Sequence, residues 1–242
     1  MLAVTHAAES RRGRSRDECQ DRWGAWPEQG LYVVCDGMGG LAGGARAASL
    51  VVGWLPELLR SGAGHGSMPE EAVRTAIRSA SECLYARTHR LQRRRETGTT
   101  VVLVWLVGDT SAIVANVGDS RAYLVRDGCM DRLTADHTVA ALLVESGDIT
   151  CEEAVHHPGR NSLTRYLGCE GEALPDVRPV DLAPGDRLLL CTDGFWGSVD
   201  GAELLQALRT GEDIARQCRA LVDAAATGEA EDDVTALLIA VE

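Results

Sequence analysis

The chain has 242 residues, which is enough for one domain with a sizeable hydrophobic core, and its formal net charge is −12. That charge argues against nucleic acid or an anionic membrane as the main partner. All 24 basic residues are arginine, which excludes mechanisms that need a Schiff-base lysine or a phosphate-loop lysine. No apolar run is long enough to span a membrane and the N-terminus has no signal-peptide core, so we expect a cytoplasmic protein.

The eight cysteines are at least 16 residues apart, so the sequence contains no Cys-x-x-Cys pair. Cys35 and Cys191 lie in strand-like apolar runs, where a thiol packs as a small hydrophobic group. We therefore expect reduced, buried thiols rather than a zinc site.

Hydrophobic periodicity predicts strands and helices along the whole chain. Residues 1–30 are interpreted as an opening strand followed by a polar, arginine-rich hairpin. The later strands are predicted at residues 31–35, 101–107, 112–117, 122–125, 187–191 and 234–241. Helices are predicted at residues 45–60, at residues 67–84 behind a capping box of Ser67 and Glu70, and at residues 138–146, 201–208 and 212–225. The polar segment 147–176 is expected to be a mobile flap.

The order of these elements predicts an α+β fold. Strands occur in antiparallel runs and helices in two separate blocks, a pattern typical of packed sheets flanked by helices. The linkers at residues 108–110 and 118–120 are short enough to join strands that are antiparallel neighbours.

Four acidic residues stand where apolar segments end or begin. Two strand-like segments run into an Asp-Gly pair, at Asp36 and at Asp193; Asp119 follows another apolar segment, and Asp232 precedes the last one. Carboxylates are hard oxygen ligands of the kind that bind Mg²⁺ or Mn²⁺. Four of them at equivalent places predict a metal-dependent hydrolase.

The first Asp-Gly pair has two other interpretations. Residues 37–42 also fit the G-x-G-x-x-A fingerprint of a dinucleotide-binding loop, which would require alternating strands and helices and an acid about 20 residues further on. Glu57 lies at that distance, but inside a helix-like segment. A plain tight turn is the other alternative, because Asp-Gly is a common turn sequence. His137 is expected either to cap the helix at 138–146 or to support the site.

Eight short motifs follow one another along nearly the whole chain. They are Arg16 through Asp21, Asp36 through Gly40, Gly98-Thr99-Thr100, Asn116 through Arg121, Asp136-His137-Thr138, Asn161 through Gly168, Thr192-Asp193-Gly194 and Asp232 through Thr235. In sequence and order they resemble the motifs of the metal-dependent Ser/Thr protein phosphatases of the PPM family, the type 2C phosphatases, in their compact bacterial form.

The resemblance implies a four-layer αββα sandwich, in which two packed, mostly antiparallel sheets are flanked by helices and the metals lie at one edge. It implies two Mn²⁺ or Mg²⁺ ions bridged by Asp36, with the Gly37 carbonyl binding one ion and Asp193 and Asp232 holding the other. Asp119 would share a third, weaker ion with Asp193.

The resemblance also implies the reaction and the partners. Asp21 would orient metal-bound water and Arg16 would grip the phosphate, while a metal-bridging hydroxide attacks phosphorus in phosphoserine or phosphothreonine. The partners would be phosphorylated proteins, including a Ser/Thr kinase or its substrates, and not nucleic acid or a membrane. The expected enzyme is a monomer with a single catalytic domain over residues 1–242, acting against the kinase.

Some positions differ from the family's common pattern. Gln20 stands where many members have Glu, Leu41 and Ala45 replace a His and a Glu, and Asp233 replaces the usual Asn. We expect Asp233 to add negative charge near the metals. Gln20, Leu41 and Ala45 leave a second hypothesis open, in which the chain is a catalytically weak, phosphoprotein-binding regulatory module of the same fold.

Overall fold

The computed structural model describes residues 3–39, 43–63, 67–89, 97–208, 213–227 and 231–242. The strands are β1 (Val4–Arg11), β2 (Arg22–Trp26), β3 (Leu31–Cys35), β4 (Gly37–Met38), β5 (Gly98–Thr99), β6 (Val101–Val107), β7 (Ser111–Val117), β8 (Arg121–Arg126), β9 (Cys129–Arg132), β10 (Asp176–Asp181), β11 (Arg187–Cys191) and β12 (Val234–Val241). The α-helices are α1 (Gly43–Ala63), α2 (Pro69–His89), α3 (Val139–Ser146), α4 (Cys151–His156), α5 (Asp193–Trp196), α6 (Gly201–Leu208) and α7 (Ile214–Thr227).

Two five-stranded sheets form the centre of the molecule. The first sheet has the strand order β1-β12-β11-β8-β9 and the second has the order β10-β7-β6-β3-β2. Every strand pair in both sheets is antiparallel. Helices α1 and α2 cover the outer face of the second sheet, and α5, α6 and α7 cover that of the first. The predicted α+β sandwich of packed sheets and flanking helices is confirmed.

The central strands are apolar at every position because both of their faces are buried. In β3, Val33 packs under α1 and α2 while Val34 lies in the layer between the sheets. In β11, Leu190 lies in that same layer, whereas Leu189 packs under the helices of the first sheet. Continuous apolar runs, rather than alternating ones, are the expected sequence for such strands.

At one edge of the sandwich the chain crosses from sheet to sheet. Residues 12–21 lead from β1 in the first sheet to β2 in the second, and residues 118–120 lead from β7 in the second to β8 in the first. The predicted hairpin within residues 1–30 is therefore wrong, as is the predicted pairing across 118–120, whereas the turn at 108–110 does join neighbours. Three extended residues span about 10 Å, which is also the spacing of packed sheets, so a short linker can serve either purpose.

The predicted helix starts are right for α6 and wrong for α2. The carboxylate of Asp200 accepts hydrogen bonds of 2.8 and 3.2 Å from two backbone N–H groups in the first turn of α6. In α2 the carbonyl of Met68 accepts the first helical N–H groups, so Ser67 lies one residue too early to form a capping box with Glu70. The Ser67 hydroxyl instead donates to the carbonyl of Gly62.

The polar segment 147–176 contains a short helix that the sequence did not predict. Thr150 and Glu153 form a complete capping box at the start of α4, and the segment ends where β10 begins. Its mobility stays a prediction. No helix in the described parts of the chain is both long and apolar enough to cross a membrane.

Truncating a side chain between the sheets should destabilise the protein strongly. Leu190 is fully buried in that layer, so Leu190→Ala should lower the free energy of unfolding by about 2–5 kcal/mol, because it leaves a cavity. Met68→Ala is the control, since the Met68 side chain is 69% exposed and its loss should change stability by less than about 0.5 kcal/mol. Urea denaturation followed by circular dichroism measures both, and equal effects would contradict this account of the core.

Candidate active site

All five carboxylates singled out in the sequence lie at the edge where the chain crosses between the sheets. Asp36, Asp119 and Asp193 follow β3, β7 and β11, while Asp232 precedes β12 and Asp21 precedes β2. Their proximity is evident in the pKa of Asp36, which burial and then the charges of the other four carboxylates raise well above its ordinary value. The structure thus brings together side chains that are far apart in the sequence.

Burial also raises the pKa of the other carboxyl groups in this cluster. It raises the pKa of Asp21 to about 8, against hydrogen bonds from two threonine hydroxyls that lower it. Burial and then the charge of Asp193 raise the pKa of Asp119 to about 8. For Asp193, burial and then Asp232 raise the pKa. Opposite charge within the cluster would restore the ionised forms of these groups.

Two buried oxygen atoms of the cluster are candidate ligands for a metal ion. Oδ1 of Asp21 and Oδ1 of Asp193 are buried, and neither has a hydrogen-bond partner among the described residues. Buried polar atoms are almost always satisfied, by protein, water or an ion. The donor set therefore fits hard divalent cations, which prefer carboxylate oxygens.

The cluster is not arranged around one ion. In the ranges that the structure describes, no three acidic, histidine or cysteine side chains converge as ligands of a single metal would. The carboxylate of Asp232 is already bound by Arg16, whose Nε and Nη2 donate to its Oδ1 at 2.9 and 2.7 Å and whose Nη2 also donates to its Oδ2 at 2.8 Å.

Asp233 anchors the loop that carries Arg16. Its side chain is buried, Oδ1 accepts the N–H of Gly13 at 2.8 Å and Oδ2 accepts the N–H of Gln20 at 2.6 Å. The carboxylate that we expected to add negative charge near the metals thus binds backbone N–H groups near both ends of the crossing segment, residues 12–21. Gln20 donates to the carbonyl of Gly39 at 3.4 Å. Of the other two unusual positions, Ala45 is buried at the start of α1 and residue 41 lies outside the described part of the chain.

Asp21 is tied to the first sheet through Thr192. The hydroxyl of Thr192 donates to Oδ2 of Asp21 at 2.9 Å and accepts the backbone N–H of Thr235 at 3.1 Å. The link joins a residue next to β2 in the second sheet to residues at β11 and β12 in the first. It fixes one oxygen of Asp21, whereas the other, Oδ1, has no hydrogen-bond partner in the part of the chain that the structure describes.

The glycines of the two Asp-Gly pairs are required by close backbone contacts. A Cβ on Gly37 would collide with the carbonyl of Gly44 in the first turn of α1, and one on Gly194 would collide with the carbonyl of Asp233. In the structure each one lets a neighbouring segment approach the carboxylate beside it.

Trp196 and Arg121 position Asp119, and sequence reasoning did not single out either of them for this. The indole Nε1 of Trp196 donates to the carbonyl of Asp119 at 3.0 Å, and the Arg121 guanidinium carbon lies 3.3 Å from the centroid of the Trp196 ring. Arg121 in turn binds both oxygens of Asp136, at 3.0 and 2.7 Å. Arg121 and Asp136 lie within the motifs 116–121 and 136–138, which was a signal for them, whereas Trp196 lies two residues beyond the motif 192–194 and had none.

His137 supports the same crossing. Its Nδ1 accepts the backbone N–H of Gly118 at 3.1 Å, whereas the helix α3 is capped by Thr138, whose hydroxyl accepts the N–H of Ala141 at 3.2 Å. Of the two roles expected for His137, support of the site is the one that the structure has.

A large cleft opens beside the carboxylates. Its volume is about 1220 Å³, and Asp193, Asp232 and Trp196 line one end of it. Helices α3 and α4 contribute several residues to its lining, as does the loop that follows α4. The carboxylate cluster is therefore reachable from solvent through a space larger than most small-molecule sites.

The sequence matches the model of one protein family over residues 10–238, and that family is described as protein phosphatase 2C. The chain belongs to the protein phosphatase 2C family. The matched range includes all eight motifs, from Arg16 to Thr235.

Related proteins and structures agree with this membership. The serine/threonine phosphatase stp of Listeria innocua is 31% identical over 237 residues, which cover 94% of this chain and 92% of that protein. The crystal structure of the Mycobacterium tuberculosis serine/threonine phosphatase PstP/Ppp superposes with a TM-score of 0.89 at 33% identity and 100% coverage of both chains. A structure of the PstP catalytic domain in complex with two manganese ions gives 0.85 at 31% identity, covering 100% of this chain and 99% of that one.

The raised pKa values predict how the stability of the protein depends on pH when divalent cations are chelated. A carboxyl group with a higher pKa in the folded than in the unfolded state contributes stability that is complete below about pH 4 and is lost as the pH rises through the folded-state value. That value is about 8 for Asp21 and Asp119. The free energy of unfolding, measured by urea denaturation in EDTA, should include a contribution that falls between these limits.

The control is a pair of substitutions. Asp119→Asn should reduce the fall in the free energy of unfolding with rising pH, because an amide does not titrate. Asp131→Asn, at an exposed position of β9, should leave that fall as large as in the wild type. The same slope in all three proteins would contradict the raised pKa of Asp119.

Proposed function

We propose that this chain is a metal-dependent protein phosphatase that hydrolyses phosphoserine and phosphothreonine. The observation that carries the proposal is the buried carboxylate cluster beside the open cleft, in which two oxygens have no hydrogen-bond partner among the described residues. Membership of the protein phosphatase 2C family supports it, as do the names of the related serine/threonine phosphatases.

The carboxylates would hold two Mn²⁺ or Mg²⁺ ions. Asp36, the carbonyl of Gly37, Asp193 and Asp232 are the proposed ligands, and Asp119 would hold a third ion together with Asp193. The manganese-bound PstP catalytic domain supports this choice of metal. When bound, such ions supply a water of lowered pKa as nucleophile and neutralise the charge that develops on the phosphoryl oxygens.

Arg16 and Asp21 have roles that follow from their contacts. The guanidinium of Arg16 is about one-third exposed and already forms a two-pronged contact with a carboxylate, a geometry that it can equally offer to a phosphate. Arg16 would therefore orient the phosphoryl group. Asp21 is held by Thr192 through Oδ2, which leaves Oδ1 to accept a hydrogen bond from the attacking water and so orient it.

The wider setting of the enzyme is part of the proposal. The substrates would be phosphorylated proteins, among them a Ser/Thr kinase or the proteins that it phosphorylates. The enzyme would act in the cytoplasm as a monomeric, single catalytic domain over residues 1–242, with the segment 147–176 as a flap beside the cleft.

Phosphate release from a phosphothreonine peptide should require Mn²⁺ and should depend on Asp193. Asp193→Asn should lower kcat/KM by on the order of 100-fold or more, because it removes a charged ligand while keeping the shape of the side chain. Asp131→Asn removes the same charge at an exposed position of β9 and should retain wild-type turnover. Malachite-green detection of phosphate, with and without Mn²⁺, measures all three proteins.

Two results would contradict the proposal. Turnover by the wild type that persists after complete chelation would exclude the metal mechanism. Tight phosphopeptide binding by the folded protein, without turnover in millimolar Mn²⁺, would instead support the phosphoprotein-binding regulatory module.

A further inference from the structure

Helices α3 and α4 expose apolar side chains that would ordinarily be buried. Helix α3 is mostly aliphatic, yet it buries only Ala140, and α4 buries no residue. Leu142 is 47% exposed and Val155 is 63% exposed. Most large apolar side chains in the described ranges are buried in the three core layers instead. Exposed apolar surface that is concentrated in one place marks an interaction site.

This apolar surface lines the same cleft as the carboxylate cluster. We call it the α3–α4 patch. It consists of Ala141, Leu142, Val144, Ala154 and Val155. At about 1220 Å³ the cleft exceeds the range of roughly 300–1,000 Å³ that small ligands occupy. It therefore has room for several residues of a polypeptide around one phosphorylated side chain.

The α3 part of the patch is held in place before any partner binds. The first turn of α3 donates from Val139 to the carbonyl of Ser162 at 2.9 Å and from Ala140 to the carbonyl of Gly159 at 3.2 Å. A Cβ on Gly159 would lie 2.9 Å from the Val139 side chain, so helix and loop are in close contact. A preformed surface of this kind binds without the cost of ordering itself first.

The charged residues around the α3–α4 patch do not make it a binding site for an acidic partner. Three arginines that line the cleft are ion-paired: Arg121 and Arg132 with Asp136, and Arg165 with Asp176. Arg160 is exposed on the loop that follows α4, whereas Glu145 of α3 lines the cleft beside the patch. The feature specific to α3 and α4 is their aliphatic surface.

We propose that the α3–α4 patch binds an aliphatic side chain of the phosphoprotein substrate, near the phosphorylated residue in its sequence. The inference rests on the proposed function, because the shared cleft is what makes the substrate the occupant. The enzyme thereby selects among phosphorylation sites by an apolar neighbour of the phosphoresidue.

The test is a set of phosphothreonine peptides in which leucine or serine is placed in turn at each flanking position. At one or more positions leucine should raise kcat/KM by about five- to tenfold over serine in the wild type. In the double variant Leu142→Ser, Val155→Ser that ratio should fall below about twofold, and each single variant should lie between. Met68→Ser is the control, since Met68 is exposed at the start of α2 and does not line the cleft, and it should keep the wild-type ratio.

Hydrolysis of p-nitrophenyl phosphate separates the inference from the function on which it rests. If the wild type hydrolyses this ester and the peptides but has no leucine preference, or if the double variant is folded by circular dichroism and keeps the full preference, the inference is wrong. If the wild type hydrolyses neither substrate in Mn²⁺, the proposed function is wrong, and the inference that rests on it is wrong as well. A dimer in sedimentation that the double variant abolishes, together with no leucine preference, would overturn the inference and assign the patch to a second copy of the chain.

Discussion

The site depends on one constraint, which is that strands of two packed sheets end side by side at the same edge of the sandwich. The crossings at residues 12–21 and 118–120 bring strand ends from both sheets to that edge. Asp193 and Asp232 come from the first sheet, while the second contributes the carboxylates next to β2, β3 and β7. Oxygen ligands supplied by two sheets can surround an ion that lies between the sheets. Ligands supplied by one sheet would lie in a single row and could not surround it.

Gathering carboxylates in a partly buried place is unfavourable, and the raised pKa values of Asp21 and Asp119 record that cost. Neutral and charged contacts around the cluster offset it. Asp233 binds two backbone N–H groups and Thr192 binds Asp21 and β12, while Arg16 supplies a positive charge to Asp232. The rigid core layers hold these contacts in place, so the site is preorganised at the expense of local stability.

The sequence predicted the parts of the fold that burial determines. Strands β3, β6, β7, β11 and β12 have strong apolar patterns because helices or a second sheet cover them. Besides the two-residue strands β4 and β5, it missed β2, β9 and β10, which are the outermost strands of their sheets. The side chains of β9 and β10 are largely exposed, and those of β2 are mostly half-buried. Which sheet a three-residue linker joins could not be predicted either, because that depends on packing between distant strands. In the site, carboxylates at turns were detectable from local sequence, but the anchoring by Asp233 and the contact of Trp196 with Asp119 were not, since each joins segments far apart in the chain.

The proposed mechanism requires the carboxylates at the crossing edge to hold divalent cations. The most direct measurement is an anomalous difference map from crystals of the protein grown with Mn²⁺, with data collected above the manganese absorption edge. We expect two strong peaks bounded by Asp36, Asp193 and Asp232, both of them lost in crystals of Asp36→Asn. An absence of peaks at this edge in millimolar Mn²⁺, or peaks only at other side chains, would contradict it.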